Sequence, residues 1–243
     1  MLGKPIHALA IGRGKKKIML NASHHANEWL TTHVLTRFLE DLCAGRLPAA
    51  EEILTGSTIY MVPMVNPDGV DLVLGAPESA DLNNWKANIR GVDLNVNYPA
   101  GWETAKRLKA KDGYTKPGPI GYPGAYPLSE PETRAMVNFT RDYSFDITLS
   151  YHTQGEVIYW RYADYDPPRA FELAALFSKA SGYVLEDTPL ASSHGGYKDW
   201  FIQSYNRPGF TIECGMGENP LLIGQLDKIY RDNKNLITAA AKM

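Results

Sequence analysis

Cysteine is scarce in this chain. Cys43 and Cys214 are the two thiols among 243 residues, and two thiols pair only if the fold happens to bring them together, so the sequence does not support a disulfide framework. No apolar run reaches the roughly 18 residues that a membrane-spanning helix needs. The opening stretch MLGKPIHALAIGRGKKK lacks the order of a signal peptide, in which a basic segment precedes a long apolar core and a small-residue cleavage site. A strong charge of one sign is missing too. With 25 Lys and Arg against 27 Asp and Glu, the net charge is −2, so neither nucleic acid nor a membrane is an expected partner. These absences make a reducing, cytoplasmic setting the expectation. Repeats, low-complexity tracts and shifts of composition are also absent, and one domain over residues 1–243 is expected.

What is present is ordinary globular material, 44% hydrophobic and 21% charged, enough to bury a sizeable core without a structural metal. HALAIG, KIMLNAS and TIYMVPMVN are short apolar, β-branched runs ending in turn residues and predict strands, as do FDITLSYH and GFTIECG. In NEWLTTHVLTRFLEDLCAG, Leu30, Val34, Leu35, Phe38, Leu39 and Leu42 recur at helical spacing up to Gly45. Further helices are predicted for SEPETRAMVNF, PRAFELAALFSKASG and GQLDKIYRDNKNLITAAAK. The first of these is expected to open on a capping box of Ser129 and Glu132, with Pro131 in its first turn. NPDGVD reads as a turn, GGYKDW as a glycine-flexible loop carrying a cation, and residues 72–128 as long loops of the kind that tend to be functional. Strands alternating with helices imply an α/β fold, a mixed and mostly parallel sheet flanked by helices on both faces.

The stretch NASHHANEW carries the first chemistry. His25 and Glu28 stand three apart where a strand gives way to a helix, so both side chains can aim at one centre. A catalytic zinc site wants three N and O ligands and an open position. His152, at the polar end of the FDITLSYH strand, is the best third ligand. Such sites gather at the carboxyl ends of strands in open α/β sheets. HxxE alone is a weak signal, and His25 as a helix cap with His152 as a buried core histidine is the bland alternative. Glu213, ending a buried strand, strengthens the functional reading, because a lone buried glutamate costs desolvation energy unless it has a partner or a task.

Taken in order, HxxE followed by Trp, NPDG, WKANIRGVDLN, PLSEPET, SYH, GGYKDW and FTIE resemble the zinc carboxypeptidase family over most of the chain. The resemblance implies a zinc-carboxypeptidase-like fold and one zinc ion per chain, held by His25, Glu28 and His152. It implies Glu213 as general base, Arg90 as the cation that stabilises the developing oxyanion, and Asp93 as the carboxylate that orients His25. Asn95 would belong to the substrate carboxylate pocket. His24 matches no ligand position and reads as a structural or rim residue.

Two departures bear on substrate. Digestive relatives carry Asn-Arg-Asn, whose arginine grips a C-terminal carboxylate, whereas this chain has Asn95-Val96-Asn97. Ala191 stands where those relatives have a tyrosine. Lys198 takes the loop position that sets their residue preference, and as a cation it favours a substrate with an extra carboxylate. The compact length and the phrase IECGMGENPL resemble the bacterial murein-peptide branch, which implies cleavage of the bond between γ-linked D-glutamate and meso-diaminopimelate or lysine, and with it a cell-wall or spore association. The rival readings are a metallocarboxypeptidase acting on ordinary peptides, with Arg161 or Arg207 gripping the carboxylate; a zinc deacylase of small N-acyl amino acids; and a non-catalytic wall-peptide binder.

Overall fold

A computed structural model describes residues 2–243. Its seven strands are β1 (Leu9–Gly12), β2 (Lys16–Ala22), β3 (Ser57–Val62), β4 (Ile147–His152), β5 (Val157–Tyr159), β6 (Val184–Glu186) and β7 (Gly209–Glu213), joined in one sheet of order β1-β3-β2-β4-β7-β5-β6. The central strands β3, β2, β4 and β7 run parallel, β1 pairs antiparallel with β3, and β5 pairs antiparallel with β7. This is the mixed, mostly parallel sheet the sequence predicts. Eight α-helices accompany it among the described residues: α1 (Leu30–Cys43), α2 (Ala50–Gly56), α3 (Pro67–Gly75), α4 (Trp102–Lys111), α5 (Pro131–Tyr143), α6 (Ala170–Ser181), α7 (Tyr197–Tyr205) and α8 (Leu226–Ala241).

Side chains alternate across a strand, so each central strand feeds two layers. Ile18, Leu20, Ile147, Leu149, Phe210 and Ile212 pack with Val34 and Phe38 of α1, Phe177 of α6 and Ile229 and Leu236 of α8. Met19 on the other face joins Tyr98, Met136 and Val137 of α5, and Tyr197 and Phe201 of α7. Each fully buried aliphatic or aromatic side chain contributes about 1.5–3 kcal/mol. The alternation also fixes what the second face carries near the strand ends. Thr148, Ser150 and His152 share one face of β4, and Thr211 and Glu213 share the same face of β7, with His152 and Glu213 register partners.

Several local expectations are overturned. NPDG is not a turn but the start of α3, because the Asn66 side chain accepts from Gly69 N at 3.0 Å and Pro67 is preset for a first turn. The capping box at α5 does not form. Glu130 is the N-cap, and the Ser129 hydroxyl donates to Glu130 Oε1 at 2.8 Å instead of reaching the helix amides. The stretch 72–128 contains α4, whose buried Trp102 and Ala105 are too few to register as an apolar period. GGYKDW is a helix start, with Asp199 accepting from Gly196 N at 3.3 Å. Cys43 is exposed, Cys214 is buried, and both are free.

Candidate metal centre

The site grows from the end of β2. The chain leaves Ala22 through Ser23, at φ 53°, into a single 3₁₀ turn over Ala26–Glu28 that His25 precedes. Ala26 N donates to Lys86 O at 3.0 Å, pinning this turn to the WKANIR segment. His25 Nδ1 lies 2.8 Å from Glu28 Oε1, His152 Nδ1 lies 2.9 Å from Glu28 Oε2, and the two imidazole nitrogens are 3.3 Å apart. Two ligands of one zinc ion, each about 2 Å from it, are at most about 4 Å apart, so all three separations suit a shared ion. His25, Glu28 and His152 thus form a triad that could hold one metal ion, and its donor set, two imidazoles and a carboxylate, suits a catalytic zinc site.

Neighbouring groups hold the triad in place. Asp93 Oδ1 lies 3.2 Å from His25 Nε2 and accepts from Asn95 N at 3.1 Å, while its Oδ2 accepts from Gly121 N. That is the arrangement that fixes the tautomer of a metal-bound histidine. Burial opposes ionisation of Asp93, but His25 outweighs it and holds the carboxylate well below its usual range. Burial likewise opposes ionised Glu28, and His25, Lys86 and His152 together keep it an anion. His25 without metal is raised to about 9, since Glu28 and Asp93 overcome its burial. His24 is fully buried rather than at a rim. Its Nε2 meets the Tyr98 hydroxyl at 2.9 Å, its ring stacks on His152 at 5.7 Å, and burial keeps it neutral.

A cleft of about 290 Å³ opens over the triad, lined in part by Glu213, Asn95, Val96, Tyr159 and Ser192. Glu213 is half-buried at the end of β7. Burial raises its carboxyl to about 6, with the Glu28 charge adding to the effect and His152 opposing it. A base poised near neutrality in a cleft is suited to taking and returning a proton. Beside Glu213 lies a smaller recess, of about 120 Å³, with Lys198 and Asp199 among its walls.

Two expected site residues behave differently. Arg90 is not brought into the cleft. Its side chain is 57% exposed and its Nε stands 3.4 Å from Glu130 Oε2. The cation in the cleft is Lys86, four residues earlier, whose Nζ lies 3.3 Å from Glu28 Oε1 and whose ammonium that charge stabilises against burial. Lys198 lines the recess but is not a free cation in a flexible loop. It sits in the first turn of α7, 4% exposed, with Nζ 2.5 Å from Asp199 Oδ1 and 2.7 Å from Arg161 O. Asn95 also lines the cleft, and its Oδ1 accepts from Tyr197 N at 3.2 Å. The sequence reading missed Asn219, which donates to Glu28 Oε1 at 3.4 Å and to Thr153 O at 3.0 Å, and Lys109 of α4, which reaches the cleft wall. Lys86 was legible as a second cation in the quoted motif; nothing in the local pattern marks Asn219.

Comparison with known proteins agrees with this geometry. A family model described as zinc carboxypeptidase matches residues 1–236. The chain is 41% identical, over 98% of its length, to the γ-D-glutamyl-L-diamino acid endopeptidase 1 of Lysinibacillus sphaericus, and 36% identical, over 99%, to the uncharacterized protein YqgT of Bacillus subtilis (strain 168). It spans 64% of the Lysinibacillus protein and 69% of the Bacillus one. Among solved structures, thrombin activatable fibrinolysis inhibitor superposes with a TM-score of 0.81 at 21% identity, covering 98% of this chain and 65% of that one. Murein-tripeptide amidase MpaA from Escherichia coli O157 superposes at 0.64 and 21%, covering 100% and 89%. At such identities these two show the fold.

Proposed function

The chain belongs to the zinc carboxypeptidase family, and from that premise we propose that it is a zinc metallopeptidase hydrolysing the γ-D-glutamyl–diamino acid bond of peptidoglycan-derived peptides. The observation that carries the hydrolytic part is the convergence of His25, Glu28 and His152 beneath a cleft that Glu213 enters from the neighbouring strand. His25, Glu28 and His152 would hold zinc, with Asp93 orienting His25. Zinc bound there supplies Lewis acidity toward a carbonyl and toward water. Glu213 takes the proton of the attacking water and hands it to the leaving amine, which lets one carboxylate serve both halves of the hydrolysis. The Lys86 ammonium offsets the negative charge that develops on the carbonyl oxygen, a preorganised electrostatic contribution made inside a partly buried cleft. Glu28 shares that ammonium in the resting state, so Lys86 is oriented before substrate arrives.

The substrate class rests on the 41% identity, across 98% of this chain, to a protein named for that bond. The test is to incubate the protein with L-Ala-γ-D-Glu-meso-diaminopimelate and with ordinary C-terminal dipeptides, and to read products by mass spectrometry with and without chelator. Zinc-dependent release of diaminopimelate is expected, with the wall tripeptide preferred. Glu213→Gln is expected to retain bound zinc while losing about 10²–10⁴ in kcat. Better cleavage of ordinary dipeptides would move the protein to the plain carboxypeptidases, and chelator-resistant turnover would remove the metal from the reaction.

A further inference from the structure

Among the described residues, three lysines line the cleft or its adjoining recess, and two are already engaged. Lys86 leans on Glu28 at 3.3 Å, and Lys198 is locked to Asp199 at 2.5 Å. Lys109 lines the same cleft and enters no ion pair within 4.0 Å and no side-chain hydrogen bond among the described residues. Its direction is set by α4. Trp102 and Ala105 form the buried face of that helix, and Lys109 follows them at the seventh and fourth positions, on the same face. Lys106, one turn after Trp102, is exposed and lies over the Trp102 ring at 4.8 Å. The helix therefore turns one lysine inward while its other cations stay outside. Lys109 is half-buried and lines the same cleft as Asn95 and Val96, and valine can offer nothing to an anion. Asp93 is near enough for the Lys109 charge to help keep it ionised, yet it is occupied by His25, Asn95 N and Gly121 N.

Resting on the peptidase reading of this site, we infer that Lys109 binds the α-carboxylate of the residue on the leaving side of the scissile bond. The adjoining recess shares Asn95, Tyr159, Ser192 and Glu213 with the main cleft. It is the size of a side chain, and the Lys198 ammonium among its walls is already paired with Asp199. A terminal residue with its side chain in that recess and its amide nitrogen at Glu213 leaves its α-carboxylate in the main cleft, where Lys109 is the unengaged cation. The γ-linked D-glutamate also carries a free α-carboxylate, so two carboxylates of one peptide compete for the assignment and the experiment must separate them.

The probes are L-Ala-γ-D-Glu-L-Lys, its C-terminal amide, and the form in which D-glutamate is replaced by D-isoglutamine. Binding is measured calorimetrically in the Glu213→Gln background, which needs no turnover, and cleavage is measured in the parent. The acid is expected to bind about 10- to 100-fold more tightly than the amide, the range of a charge-assisted hydrogen bond. Lys109→Met should abolish that preference, Lys109→Arg should restore most of it, and the isoglutamine effect should be the same with and without Lys109. In cleavage, the loss should fall on KM more than on kcat. An acid preference that survives Lys109→Met, one absent from the parent, or a Lys109→Met effect confined to the isoglutamine probe overturns the inference. If no peptide is cleaved but the Lys109-dependent preference remains, the peptidase reading fails and the carboxylate site stands.

Discussion

Lys86 and Arg90 lie in one short segment and carry the same charge, yet they occupy different environments. Lys86 is tied to the metal-centre turn by its own carbonyl, which accepts from Ala26 N at 3.0 Å, while its ammonium reaches Glu28. Arg90 projects to solvent beside Glu130. A cation that offsets oxyanion charge inside a cleft typically contributes about 2.7–4 kcal/mol to the barrier, and an exposed arginine contributes almost nothing. Lys86→Met is therefore expected to lower kcat about 10²–10³-fold with a smaller change in KM, and Arg90→Ala to leave both within a few-fold of the parent. Steady-state kinetics on the wall tripeptide checks this; the reverse order of effects would return the role to Arg90.

At the scale of elements, the start of α5 holds the loop that carries the site. Asn88 Oδ1 accepts from Arg90 N at 3.0 Å and Val92 N at 3.1 Å, shaping the turn before Asp93, while its amide donates to Glu130 Oε2 at 2.9 Å and stands 3.4 Å from Glu132 Oε2. Glu132 is 5% exposed, and burial, with repulsion from Glu130 and Asp68, raises its carboxyl to about 7 against the hydrogen bonds it accepts. The folded state thus favours the protonated form. That preference is fully present below the unfolded value near 4.5, and it is lost as pH climbs through 7. Above pH 7 the ionised, buried Glu132 costs roughly 1–3 kcal/mol. Glu132→Gln keeps an acceptor for Asn88 and removes the ionisation. Its Tm should exceed the parent's by several degrees at pH 8, with the gap closing toward pH 4.5. Thermal melts across that range would contradict this picture if the gap stayed constant or changed sign.

For the whole molecule, the metal triad joins the loop after β2 to the end of β4, two segments already held side by side by the Ala22↔Tyr151 pairing. The two buried layers on either face of the sheet exist without the ion. Removing zinc should therefore inactivate the protein without unfolding it. Binding adds RT ln(1 + [L]/Kd), about 4 kcal/mol at a thousandfold excess over Kd, so chelation should lower Tm by roughly 8–16 °C and leave far-UV circular dichroism unchanged at 25 °C. Readdition of zinc should restore both Tm and turnover, and His152→Ala should make Tm insensitive to zinc. Loss of secondary structure on chelation would mean that the metal is needed for folding.

The sequence by itself determined the elements whose signal is local and repeated. Leu30, Val34, Leu35, Phe38 and Leu42 mark α1, and the apolar runs around Leu20, Ile59, Leu149 and Ile212 mark the central strands, because periods of 3.6 and 2 follow from backbone geometry alone. The pairing of His25 with Glu28 was legible for the same reason, three residues on one turn. Only the tertiary structure decided the rest. His152 and Glu213, 61 positions apart in the chain, become neighbours through the crossover between β4 and β7, which no spacing encodes. Lys198 loses its freedom because Asp199 and Arg161 O close around it. The choice between Lys86 and Arg90 turns on which way a loop without periodicity faces, and Lys109 reaches the cleft because two buried residues orient a short polar helix. Charge and residue type are properties of the chain, but which charge meets which cleft is set by contacts between segments distant in sequence.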